Sequence, residues 1–240
     1  MVVPSVSRPS SSSRFRRHDP SRRRPGAARI TGPRPGRQQG RPVRCGGEEV
    51  RVLHRERAVL VVIDVQERLL PSIDEAERTV GQIVRLIQGF RIIGAPVLVT
   101  EQYRKGLGET APAIQEALAA PDPNTGEAHR FDPLEKMTFS CMLHDPFLEA
   151  LEATGRRQVV LCGIEAHVCV HQTALHLLER GFHVEIASDA VSSRSPRNRE
   201  VALSRLALEG AKPTTVETAV FEMLEACGTD PFKSWVRVIR

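Results

Sequence analysis

A cysteine that follows a buried strand and opens a helix is placed for nucleophilic chemistry, and Cys169 has that setting. It lies in Val159-Val160-Leu161-Cys162-Gly163-Ile164-Glu165-Ala166-His167-Val168-Cys169-Val170, where an apolar run breaks at a glycine. Beyond the break, Val170, Ala174, Leu177 and Leu178 fall on one face of a helix. A thiol in the first turn of such a helix feels the positive end of the helix dipole and unpaired backbone N–H groups. Both predict a lowered thiol pKa, and the thiolate is the nucleophile. The plain alternative is a core residue, since free cysteines behave as small buried hydrophobes. Asp64 is the second candidate: it directly follows the apolar run Ala58-Val59-Leu60-Val61-Val62-Ile63. A charge there needs a partner, because an unpaired buried charge is expensive. His167, Cys169 and His171 alternate, but on a helix their side chains spread round the axis, so they predict no metal site.

The surrounding pattern says what positions these residues. Apolar strands are expected at 58–64, 96–100, 158–162 and 184–187, with a last short one at Thr214-Thr215-Val216. Between them, Val80, Ile83, Val84 and Ile87 mark a helix face that Gly94 terminates. Asp145-Pro146 opens a short helix, and Ser195-Pro196 opens another that carries Leu203, Leu206 and Ala207. Glu101 to Pro133 reads as loop-rich, with a turn at Pro121-Asp122-Pro123-Asn124. Continuous apolar strands alternating with helices predict a parallel sheet covered on both faces. In such sheets ligands bind beyond the carboxyl ends of the strands, where Asp64 and Cys169 both fall.

Charge divides the chain. Residues 1–44 hold twelve arginines against Asp19, a net of +11, so the overall +5 leaves residues 45–240 at −6. The acidic body predicts no nucleic-acid partner for the folded domain. Residues 1–50 are rich in Arg, Ser, Pro and Gly without apolar periodicity, and are expected to be a disordered tail before a domain at 51–240. Three readings of that tail compete: an organellar transit peptide, a loose nucleic-acid binder, or an overextended start. Frequent Pro and Gly work against the amphipathic helix of a transit peptide, which favours the overextended start and a cytoplasmic location. Five cysteines (Cys45, Cys141, Cys162, Cys169 and Cys227), without a CxxC pair, favour a reducing compartment over a disulfide framework. The longest apolar stretch, around Ala58 to Ile63, is too short to span a bilayer, so no membrane is expected.

Five segments together carry a resemblance. Val62-Ile63-Asp64-Val65-Gln66, Thr100-Glu101-Gln102-Tyr103, Glu135-Lys136-Met137-Thr138-Phe139-Ser140, Gly163 to Val170 and Asp189-Ala190-Val191-Ser192-Ser193-Arg194 are similar to the isochorismatase-like hydrolases. They resemble especially the branch of isochorismatase domain-containing proteins. The resemblance covers about Ala58 to Cys227 and implies an Asp-Lys-Cys triad at Asp64, Lys136 and Cys169. Alone, Lys136 reads as a solvated loop lysine. In the triad it can stabilise the thiolate, while Asp64 accepts and returns the thiol proton. The resemblance also implies a non-proline cis peptide at Ile164–Glu165. The backbone N–H groups of Glu165 and Cys169 would then form an oxyanion hole. Gln66, Gln102, Tyr103 and Phe139 are the candidate substrate-binding residues, with further pocket walls from a neighbouring subunit in a homo-oligomer.

Departures from the wider superfamily matter as well. Its nicotinamidases bind a metal through histidines after the second strand, where this chain has Glu101-Gln102-Tyr103-Arg104-Lys105. No metal and no other cofactor is therefore expected. True isochorismatases cleave a vinyl ether and lack the cysteine. Pattern and resemblance together predict one α/β domain, a doubly wound, mostly parallel sheet of about six strands with helices on both faces. The expected activity is hydrolysis of a C–N, amide-type bond in a small molecule through a thioester. A silent scaffold of the same fold and a redox-sensing thiol protein are the rival readings.

Overall fold

The computed structural model describes residues 52–121, 123, 125–127 and 132–240, and a strand pair Arg44–Cys45 (β1) and Glu48–Glu49 (β2). β1 and β2 pair antiparallel within the stretch expected to lack structure. The rest of the tail expectation, and Asp122 and Asn124 of the expected turn, lie outside the described residues.

The apolar run before Asp64 forms β3 (Ala58–Ile63), buried along its whole length. β4 (Val97–Gln102), β5 (Leu134–Lys136), β6 (Gln158–Ile164), β7 (His183–Ser192) and β8 (Lys212–Thr214) complete a sheet of six strands in the order β5-β4-β3-β6-β7-β8. Every pairing in it is parallel. Val62 stands between Val99 and Cys162, and Ile63 between Thr100 and Gly163. The chain runs outward from β3 through β4 to β5, then returns to β6 on the other side of β3. In open parallel sheets ligands bind at such a reversal, here beyond the carboxyl ends of β3 and β6.

Eight helices flank the sheet among the described residues: α1 (Ala76–Ile93), α2 (Arg104–Leu107), α3 (Pro112–Ala119), α4 (Asp145–Ala153), α5 (His171–Glu179), α6 (Pro196–Leu208), α7 (Val216–Leu224) and α8 (Asp230–Ile239). Alternation along β3 divides the core. Leu60 and Val62 pack with residues of α1, α3, α7 and α8, and Val59, Val61 and Ile63 with residues of α4, α5 and α6. Each large apolar side chain so buried contributes about 1.5–3 kcal/mol. Gly94 ends α1 at φ 76°, donating its N–H to Phe90 and Arg91 carbonyls. None of the described helices is long and apolar enough to cross a membrane.

The structure corrects several expectations. The loop-rich stretch from Glu101 contains α2 and α3, the latter started by Pro112 and held by Ile114, Ala117 and Leu118. The last strand is Lys212–Thr214; Thr215 instead caps α7, its hydroxyl accepting from the Thr218 N–H. β5 was not anticipated, and neither were α7 and α8. Trp235, Val238 and Ile239 recur at helical spacing on α8 and pack against the α1 side of the core.

Candidate active site

β3 delivers Asp64 to this end of the sheet. The chain turns sharply there: Asp64 has φ 52°, its N–H donates to the Thr100 carbonyl at 3.1 Å, and its side chain is 1% exposed. One carboxylate oxygen, Oδ1, accepts the Thr100 hydroxyl at 2.8 Å. The other, Oδ2, accepts Lys136 Nζ at 2.7 Å.

Lys136 ends the edge strand β5, opposite Gln102 in register. Its side chain points inward and is fully covered. Nζ also donates to Gln102 Oε1 at 2.8 Å and to the carbonyls of Thr138 and Phe139 at 3.2 Å each. Burial lowers the basicity of this ammonium, but Asp64, with Cys141 and Cys169, outweighs it and leaves the lysine pKa raised. A cation held by a carboxylate and three neutral oxygens is expected to stay charged.

β6 leads to Cys169. Gly163 has φ 116°, and a Cβ there would collide with the carbonyl oxygen of Ile63. Only glycine lets β6 lie this close to the end of β3. The Ile164–Glu165 peptide is cis. A π-helical turn, Ala166–Val170, then carries Cys169 into α5, so the thiol precedes the regular α-helix rather than sitting in its first turn. The Glu165 carbonyl accepts Val168 and Val170 N–H groups, and its carboxylate accepts the Arg194 N–H at 2.9 Å and Arg194 Nε at 3.0 Å. That side chain is structural.

Cys169 is 7% exposed. Its thiol differs from expectation in one respect that matters. Burial pushes its pKa up, the neighbouring Asp64 carboxylate pushes it further, and Lys136 offsets these only in part. The helix-start argument for a lowered thiol pKa is overturned, because desolvation and an adjacent anion both disfavour the thiolate. The resting thiol is neutral beside the Asp64 carboxylate.

Asp64, Lys136 and Cys169 thus meet, although they come from three different strands or strand ends. The four candidate binding residues divide. Gln66 is buried and its amide is fully engaged by backbone: Nε2 donates to the Gln102 and Gly108 carbonyls at 3.0 and 2.7 Å, and Oε1 accepts the Gln102 N–H at 2.8 Å. Gln102 spans Lys136 Nζ and the Met137 carbonyl. Tyr103 and Phe139, at 43% and 54% exposed, present aromatic surface beside the triad segments. Two neighbours were not singled out from the sequence, Thr100 and Cys141. Thr100 carries no local signal of this contact, since its register with Ile63 comes from the pairing of β3 and β4. Among the described residues no group of three or more His, Cys, Asp or Glu stands together as a metal cluster. Glu101, at the position where a metal ligand would be sought, is occupied by the Thr110 N–H and hydroxyl and by Arg104.

The isochorismatase domain model matches residues 58–218. Isochorismatase domain-containing protein 2 of Danio rerio is 38% identical over 177 residues, covering 73% of this chain and 83% of the relative. The solved structure of the MAR1 ribonuclease from Caenorhabditis elegans superposes with a TM-score of 0.70 at 35% identity, covering 79% of this chain and 92% of that one. The YcaC protein of Escherichia coli, described as an octameric hydrolase of unknown specificity, shares the fold at a TM-score of 0.69 and 21% identity, over 80% of this chain and 91% of its own. The chain therefore belongs to the isochorismatase family and carries its hydrolase fold.

Proposed function

We propose that the protein is a metal-independent cysteine hydrolase acting on an amide-type C–N bond of a small molecule. The observation that carries this reading is a neutral Cys169 thiol beside the Asp64 carboxylate, one oxygen of which is held by a buried lysine. As Cys169 Sγ attacks the substrate carbonyl carbon, its proton passes to Asp64. The backbone N–H groups of Glu165 and Cys169 receive the oxyanion, as the resemblance implies. Collapse of the tetrahedral species breaks the C–N bond, and Asp64 gives the proton to the departing amine. A water that transfers its proton to Asp64 then attacks the thioester. The acid leaves, and the proton returns to the thiol. Lys136 remains charged throughout and offsets negative charge shifting among Asp64, sulfur and oxygen.

In this reading Gln66 and Gln102 hold the loop and the lysine, while Tyr103 and Phe139 contact substrate. Tyr103, Met137, Phe139 and Leu143 leave apolar surface near β5, which fits coverage by a second copy in a homo-oligomer. We place the protein in the cytoplasm, with residues 51–240 as its single catalytic domain.

A panel of small amides and ureides, offered to wild type and Cys169→Ala, tests the proposal. Wild type should accumulate an acyl adduct on Cys169, visible by mass spectrometry, and the alanine variant should fold but not turn over. Residual turnover in Cys169→Ala excludes covalent catalysis. RNA belongs in the panel because three of the similar solved structures carry the name ribonuclease; the net −6 of residues 45–240 argues against it here.

A further inference from the structure

Thr100 and Cys141 are buried beside Asp64, and neither has a part in the steps above. Thr100 is in register with Ile63, so its hydroxyl meets the carboxylate that β3 delivers. The direction of the hydrogen bonds follows from the donors available. A carboxylate has no proton to give, so the single proton of the Thr100 hydroxyl goes to Asp64 Oδ1 at 2.8 Å. The hydroxyl's lone pair then accepts the Cys141 thiol, 3.8 Å away. Cys141 keeps its proton near neutral pH, since burial first and Asp64 second push its pKa up to about 11. Its backbone N–H donates to Thr173 Oγ1 at 3.0 Å, tying it to α5, the helix that follows the nucleophile.

We infer that Thr100, backed by Cys141, is a positioning residue that fixes the plane of the Asp64 carboxylate and restrains its affinity for the proton of Cys169. The inference rests on Asp64 acting as base. With Oδ1 tied to Thr100 and Oδ2 to Lys136, the carboxylate cannot rotate away from the thiol. Each hydrogen bond to the charged form also makes the carboxylate a weaker base. The titratable groups facing Asp64 are Lys136 from β5, Cys169 from the π-helical turn and Cys141 from the 3-10 turn Cys141–Leu143. Thr100 therefore sets how readily the base takes the proton, without touching substrate.

Alkylation of Cys169 by iodoacetamide, followed by peptide mass spectrometry across pH 4–9, tests this without a known substrate. A thiol that hands its proton to a carboxylate base as it reacts is alkylated more slowly at acid pH. In Thr100→Val, which keeps the shape and removes the hydroxyl, that acid limb should move to higher pH by about 1–2 units. Thr100→Ser should restore it. Should Thr100→Val fail to fold, Cys141→Ala carries the test, with a displacement in the same direction of roughly a few tenths of a unit. Superimposable wild-type and Thr100→Val profiles, or an equal displacement in Thr100→Ser, overturn the inference; in the absence of folded Thr100→Val, an unmoved limb in Cys141→Ala does so. The base reading fails separately if Asp64→Asn retains the wild-type acid limb.

Discussion

Removing Lys136 should cost more stability than removing the charge of Asp64, and removing both should cost less than removing Lys136 alone. At 2.7 Å, the pair attracts by about 6 kcal/mol at an effective dielectric constant of 20, offset by several kcal/mol of desolvation for each ion. Deleting one partner forfeits the attraction and leaves the other ion's desolvation in place, typically about 3–5 kcal/mol. The two deletions are unequal because the survivors are. After Asp64→Asn, the ammonium keeps Gln102 Oε1 and the carbonyls of Thr138 and Phe139. The asparagine can turn its oxygen to Lys136 and its NH2 to the Thr100 hydroxyl. After Lys136→Met, the buried carboxylate keeps the Thr100 hydroxyl as its hydrogen-bond donor. Lys136→Met should therefore lie at the upper end of that range and Asp64→Asn at or below the lower end. Asp64→Asn/Lys136→Met, holding no buried charge, should recover roughly 1–3 kcal/mol relative to Lys136→Met. Urea titrations followed by Trp235, the sole tryptophan and fully buried, give the four free energies. Additive losses, or a Lys136→Met loss below about 1 kcal/mol, would refute a buried charged pair.

Alkaline pH should destabilise the fold. Burial raises the thiols of Cys141, Cys162 and Cys169 above the ordinary 9.0, so from that pH upward they ionise when unfolded but not when folded. The raised Lys136 acts with the same sign above 10.5, and each group contributes up to about 1.4 kcal/mol per pH unit until its folded pKa is passed. A flat urea midpoint between pH 8.5 and 10.5 would contradict this. Gly163→Ala should fail to fold because its Cβ meets backbone, whereas Gly89→Ala should cost only about 1–3 kcal/mol. There the new Cβ lies 2.5 Å from Val220 Cγ2, a side-chain atom that can yield; expression and urea midpoints separate the two cases. Deleting residues 1–50 should leave both the urea midpoint and Cys169 labelling unchanged, and loss of folding would make the tail structural.

What could be read from the sequence was what is local. Asp64 was legible because six apolar residues precede it, and the end of the sheet where it lies because strands and helices alternate. Lys136 was not legible from local pattern: β5 has three residues, one of them Glu135, and only its ladder with β4 makes it a strand. The sign of the Cys169 shift was lost for a related reason. A helix start can be seen along the chain, but the depth of burial and the approach of an aspartate 105 positions away cannot. Gln66 and Gln102 were candidates for substrate contact, and the pairing of their amides with backbone and with Lys136 could not be read from local pattern.

The strand that supplies the cation has three residues and lies at an open margin of the sheet, joined to the rest only through β4. Short marginal elements open at lower free energy than the centre of a sheet. Fraying of Leu134–Lys136 would withdraw the ammonium and unhook the Thr138 and Phe139 carbonyls while β3 and β6 still hold Asp64 and Cys169 together. Trp235, packed on the α1 side of the core, would report an intact protein at that stage. Rising urea should thus separate Lys136 from Asp64 before it unfolds the domain, with that earlier midpoint set by one three-residue ladder.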